Sequence, residues 1–146
     1  MVLVNRYKDD HEQLEKLTTK IYPYLNIKDV LSDTRTIKSL IDDLISALDI
    51  HLAVEDKSLY PLLLNHTNQE IKSTVQSFID EMGEIRQTVL LYRRKWTSIS
   101  KIQEEPNKFI GETSIILEAL ITRMHKENLE LFTLLGKEDE ESTSEY

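Results

Sequence analysis

His51 and Glu55 stand four residues apart in the run His51-Leu52-Ala53-Val54-Glu55-Asp56-Lys57-Ser58-Leu59-Tyr60-Pro61. At about 100° per residue the two side chains share one helical face, one turn apart. That face should be buried. Steps of three and four lead back from His51 to Leu48, Leu44, Ile41 and Ile37, and forward from Glu55 to Leu59 and Leu62. An ionisable pair on a core stripe is costly unless it is hydrogen-bonded, ion-paired or bound to a metal. Mixed imidazole and carboxylate donors suit Fe, Mn or Zn.

The elements that must position this pair are helices. The chain has 146 residues, with only three Gly and three Pro, and 30% of its residues are charged. That composition predicts one domain built from a few long helices. Helix one should run from about Leu3 to Tyr24, with Val4, Tyr7, His11, Leu14, Thr18, Ile21 and Leu25 inward, and end at Pro23 and the Asn26–Asp29 stretch. Helix two should start at a cap from Ser32 or Asp33 and continue to about Asn65, kinked at Pro61. Thr67-Asn68-Gln69-Glu70 has the spacing of a capping box and should open helix three. The stripe of that helix reads Ile71, Val75, Phe78, Met82, Ile85, Val89, Tyr92, Trp96, Ile99. Helix four should begin near Pro106, carry Thr113, Leu117, Leu120, Met124, Glu127, Leu131 and Leu134 inward, and stop at Gly136. Four amphipathic helices with short connections predict an all-α, antiparallel up-down-up-down four-helix bundle over residues 1–136. The acidic, Ser/Thr-rich segment 137–146 should be a disordered tail.

Each inner stripe is apolar except near one level, where His11, His51, Glu55 and Glu127 occur. Counted from the turn between helices three and four, Met82 and Glu127 are level, and Met82 and Glu55 lie at similar heights above the preceding turn. His11 matches His51 less well, by roughly one turn, and the four polar residues are expected to converge on one layer. Two registers compete on helix four: one turns Glu127 inward, the other His125. The apolar stripe favours Glu127, which is about 200° around the helix from His125.

Other classes of function are disfavoured. The absence of Cys excludes disulfides, iron–sulfur clusters and thiol catalysis. A formal charge of −8 opposes nucleic-acid binding, and Arg93-Arg94-Lys95 is too short a basic run to reverse it. The N-terminal segment lacks the apolar run of a signal peptide, and no apolar stretch approaches the ~20 residues needed to span a bilayer. A soluble, cytoplasmic protein is expected. No spacing marks a substrate pocket, so no catalysis is assigned.

With these residues in view, the chain resembles the hemerythrin family, specifically the bacterial HHE-type bundles. The His51–Pro61 run resembles the second-helix motif of that family, and Asp10-His11-Glu12-Gln13-Leu14 its first-helix ligand segment. Glu127-Asn128-Leu129-Glu130-Leu131-Phe132 resembles the fourth-helix motif, in which a histidine precedes the glutamate by four. The resemblance implies a four-helix bundle with an iron site, usually di-iron, between its helices. Two positions depart from the pattern. Arg123 stands where the fourth-helix histidine would be, and Met82 stands on helix three where a ligand histidine is usual. Glu81, about 100° off the stripe centre, could reach inward as a substitute. Gly83, which costs about 1 kcal/mol in a helix relative to Ala, would be explained by close helix approach or by space beside the site.

Three readings follow. In the first, His11, His51, Glu55, Glu127 and Glu81 hold one or two ions, iron first and Mn or Zn otherwise, with open positions for oxygen, peroxide or nitric oxide. In the second, no metal is bound; Arg123 neutralises Glu55 and Glu127, and the bundle serves as an interaction module. The third, a ferritin-type oxidase, is weakest because paired Glu-x-x-His motifs are absent.

Overall fold

The computed structural model describes residues 2–65, 68–131 and 133, and among these every regular element is helical. Helix α1 (Val2–Ile21) runs into a 3₁₀ turn at Tyr22–Tyr24, where Pro23 ends the α-helical ladder. Asn26 then opens a short helix, α2 (Ile27–Ser32), its side chain accepting from the Asp29 N–H at 2.9 Å. The stretch expected only to terminate helix one is thus a cap for an added turn of helix. Helix α3 (Thr34–Val54) follows directly. Asp33 sits at its N-cap position without a side-chain cap bond.

Helix two does not simply kink at Pro61. It passes through a π turn at Glu55–Leu59 and resumes as α4 (Tyr60–Leu64). Proline has no N–H to return to the Lys57 carbonyl, and just before it the Tyr60 N–H bonds five residues back, to Glu55. The wider turn absorbs one extra residue, so the inward register moves on by one. Leu62, expected inside, is 55% exposed, whereas Leu63 is 2% exposed and Tyr60 also turns inward.

Helix α5 (Gln69–Lys95) is capped by Asn68, whose side chain accepts from the Glu70 and Ile71 N–H groups at 2.9 and 3.3 Å. The cap is therefore one residue after Thr67, the cap of the expected box, which lies outside the described residues, as do His66, Leu134, Gly136 and the tail. Trp96 ends α5, so Ile99 belongs not to that helix but to a separate short one, α6 (Ile99–Glu104), capped by Ser98. Helix α7 (Pro106–Lys126) starts on Pro106 and continues into a second π turn, Glu127–Leu131.

Paired contacts run in opposite chain senses between neighbouring long helices, as an up-down-up-down bundle requires. Arg86 reaches Asp56 and Arg93 reaches Asp49; Glu81 meets Arg123 and Tyr92 meets Thr113; Glu15 lies against His125 and His11 against Asn128. The buried apolar side chains form two clusters. One contains Leu14, Leu48, Met82, Leu120 and Met124, and the other Tyr7, Leu59, Leu63, Ile71, Val75 and Phe78. Fully burying one such side chain contributes roughly 1.5–3 kcal/mol, so these clusters hold the helices around the polar layer between them. No helix among the described residues is long and apolar enough to cross a membrane.

Candidate metal centre

The polar layer lies where the two apolar clusters meet. On α1 His11 sits between Tyr7 and Leu14, and at the end of α3 His51 and Glu55 sit between Leu48 and Leu59. Glu127 enters just after Met124. Helix α5 crosses the layer between Phe78 and Met82, both buried, and adds no inward donor. His11, His51, Glu55 and Glu127 are all buried, and each offers one donor atom within 4.8 Å of the others.

The donors face one another closely. His11 Nε2 lies 3.0 Å from His51 Nε2, 3.4 Å from Glu55 Oε1 and 3.4 Å from Glu127 Oε2. His51 Nε2 lies 2.5 Å from Glu55 Oε1, one helical turn on. The outward nitrogen of His11, Nδ1, donates to Asn128 Oδ1 at 3.0 Å, which leaves Nε2 for the interior. His51 Nδ1 makes no hydrogen bond, but the Asp10 carboxylate stands 3.9 Å away. Tyr60 closes the far side. Its hydroxyl donates to Glu55 Oε2 at 2.7 Å and lies 3.4 Å from Glu127 Oε1.

The electrostatics follow from burying four ionisable groups together. Burial pulls the His11 imidazole down, but the Glu127 and Glu55 carboxylates against it prevail and raise its pKa from 6.5 to about 9. Burial pushes Glu127 up from 4.5 to about 7, with His11 opposing the shift and Glu55 adding to it. Burial acts on Glu55 in the same sense, yet hydrogen bonds from His11, His51 and Tyr60 hold it well below the usual carboxylate range. Burial, together with the charges of Glu127 and Glu55, keeps the Tyr60 phenol protonated far above its ordinary pKa.

The donor set fits a metal ion. An ion about 2.1 Å from each donor spaces neighbouring donors roughly 3.0 Å apart in an octahedron and roughly 3.4 Å in a tetrahedron. The three separations from His11 Nε2 fall within that span, and the 2.5 Å from His51 to Glu55 is shorter than either value. Glu127 Oε2 is buried, and the 3.4 Å ion pair with His11 Nε2 falls short of a well-formed hydrogen bond, so an ion in that place would satisfy it better. Beside the donors lies a small void of about 10 Å³, lined by Leu48, Leu52, Met82, Leu120 and Arg123 among others.

Glu81 does not join the centre. It is partly exposed and pairs with Arg123, and more loosely with Lys126 at 3.7 Å. From its off-stripe position, the permanently charged and mostly buried guanidinium of Arg123 is the nearer partner. The same pair corrects the expected role of Arg123, whose guanidinium meets Glu81 and lies 5.2 Å over the Phe78 ring. What faces Glu55 and Glu127 instead is His11, joined at Glu55 by His51. His125 is 54% exposed and reaches Glu15 at 3.4 Å, so the helix-four register that turns Glu127 inward is the one adopted. Met82 packs in the core. Gly83 has open space where a Cβ would stand, which rules out close helix approach as its reason. Tyr60 and Asn128 were not singled out from the sequence. The missing N–H of Pro61 was the available signal for Tyr60, and no spacing marks Asn128.

A family model for the hemerythrin HHE cation-binding domain matches residues 2–135. The chain belongs to that family. Comparison with curated proteins and with solved structures returned no match.

Proposed function

We propose that the protein binds iron between its helices through His11, His51, Glu55 and Glu127, as a sensor of, or protection against, oxygen, peroxide or nitric oxide. The observation that carries this reading is the convergence of four buried donors from α1, α3 and the end of α7 on one point. When bound, iron would supply reversible redox change and an open coordination position. The chain's own residues do the rest. Asn128 fixes the tautomer of His11, and Asp10 stands behind His51. Leucines, Met82, Met124 and Arg123 wall a void of about 10 Å³ next to the donors, barely room for one water molecule and far too small for an organic substrate. Mn or Zn fits the same donors. A cytoplasmic setting, with neither nucleic acid nor membrane as partner, accords with the charge of −8 and the mean hydropathy of −0.38.

Metal analysis by plasma mass spectrometry, on protein stripped with chelator and reloaded anaerobically with ferrous iron, tests this. Iron should be retained by the parent and largely lost from His51→Ala. A parent that retains none after gel filtration would leave the second reading, a metal-free bundle acting as an interaction module. The observation on that side is that His11, charged, ion-pairs with both carboxylates, while His51 and Tyr60 also hold Glu55 and burial favours the neutral form of Glu127.

A further inference from the structure

Each of the two carboxylates in the centre divides its oxygens in the same way. Glu55 Oε1 and Glu127 Oε2 face the imidazoles, while Glu55 Oε2 and Glu127 Oε1 face the Tyr60 hydroxyl. The phenol oxygen thus stands on the side of both carboxylates away from the histidines. A second ion bridged to the first would need those same two distal oxygens. Tyr60 takes one of them in a 2.7 Å hydrogen bond and stands near the other. Beyond it lies the apolar cluster of Tyr7, Leu59, Leu63, Ile71, Val75 and Phe78, and among the described residues no nitrogen or carboxylate joins His11, His51, Glu55 and Glu127 to complete a second coordination sphere.

We propose that Tyr60 sets the nuclearity of the centre: its hydroxyl restricts Glu55 to one donor oxygen, occupies the second-ion position, and so limits the site to a single metal ion. The local fold provides this placement. In the π turn the Tyr60 N–H bonds back to the Glu55 carbonyl, so residues five apart overlie one another, and the phenol reaches the carboxylate one turn below it. In a regular helix residues five apart diverge by about 140°. The proposal rests on the metal-binding reading above and deepens it.

The test uses the full chain and Tyr60→Phe, which keeps the ring in its packing and removes only the hydroxyl. Both are titrated anaerobically with Mn²⁺, and free and bound ion are followed by electron paramagnetic resonance. The parent should saturate at one ion per chain. Tyr60→Phe should keep the first ion and take up a second, weaker one, giving a spin-coupled spectrum. Tyr60→Leu, checked for helix content by circular dichroism, should behave likewise. Two ions in the parent, or one in all three proteins with unchanged spectra, would overturn the assignment to Tyr60 and leave metal binding intact. A visible phenolate-to-iron charge-transfer band in the ferric parent, absent from Tyr60→Phe, would also overturn it by making Tyr60 a ligand. No bound ion in any of the three would remove the metal-binding reading itself.

Discussion

Glu127→Gln should stabilise the metal-free protein at pH 8 and weaken metal binding at the same time. Burial raises the Glu127 pKa from 4.5 to about 7 in the folded chain. The folded state therefore holds this proton more tightly than the unfolded state. Ionisation costs nothing extra below pH 4.5, costs progressively more between pH 4.5 and 7, and reaches its full penalty above pH 7. That shift corresponds to about 3 kcal/mol. Glutamine has the same shape and no charge, so it escapes the penalty, but it also takes a counter-charge away from His11, which sits 3.4 Å from Glu127 Oε2. The shift is already net of that attraction, since His11 opposes it, so the variant should gain up to about 3 kcal/mol, or roughly 6–12 °C in Tm for a chain of this size.

Thermal unfolding followed by circular dichroism, in chelator at pH 8 and again at pH 4, measures the gain. At pH 4 both side chains are neutral and the difference should vanish. With metal present the order should reverse, because the variant has lost a ligand and ion binding adds less to folding. A lower Tm for Glu127→Gln in chelator at pH 8 would refute the argument, since it would make the ionised carboxylate a net stabilising group. An equal gain at both pH values would show that ionisation is not its cause.

Metal uptake should release protons. At pH 7 His11, with its pKa near 9, carries a proton that an ion must displace, and Glu127, near 7, carries one in half the molecules, so about 1.5 protons should leave per ion. Affinity should then climb with pH until about 9; calorimetry in buffers of different ionisation enthalpy measures the count, and a value near zero would contradict it. Arg123→Met should cost less than about 3 kcal/mol in chelator, because the guanidinium is mostly buried over Phe78 but the partner it leaves, Glu81, is partly exposed and stays solvated; a loss of roughly 3–5 kcal/mol in urea unfolding would mean that Arg123 does neutralise buried carboxylates. Gly83→Ala should raise stability by up to about 1 kcal/mol, since the position lies inside α5 with open space for a methyl group. A fall in Tm there would point to an unseen packing constraint.

Hydrophobic period and helix termini made the bundle readable. Ile37, Ile41, Leu44 and Leu48 on one helix, and Thr113, Leu117, Leu120 and Met124 on another, are each buried as their spacing requires. The same stripes placed His11, His51, Glu55 and Glu127 inside, because a polar residue in phase with buried neighbours has nowhere else to point. Phase is less informative one step off the stripe. Glu81 could reach inward or outward from its position, and what decides is the guanidinium of Arg123, a residue forty-two positions later that no local pattern connects to it. The short helices α2 and α6 were missed for a related reason: Asn26 and Ser98 cap only a turn or two, too little length to show a period.

Register was lost at the place that matters most for the chemistry. Leu62, Leu63 and Leu64 are consecutive, so the apolar pattern looks the same whether or not a residue has been inserted before them. The π turn makes that insertion, and with it Tyr60 moves from an ambiguous position onto the carboxylates. Pro61 accounts for the first π turn, but the second, at Glu127–Leu131, has no proline. What the two share is their first residue, a buried carboxylate of the metal centre. A π turn gives up regular hydrogen-bond geometry, and such turns concentrate at functional sites. Among the described residues the bundle departs from the α-helical ladder in this way twice, each time at a glutamate facing the histidine pair. The second turn, which no proline explains, is therefore an argument for the proposed centre that does not depend on the donor distances.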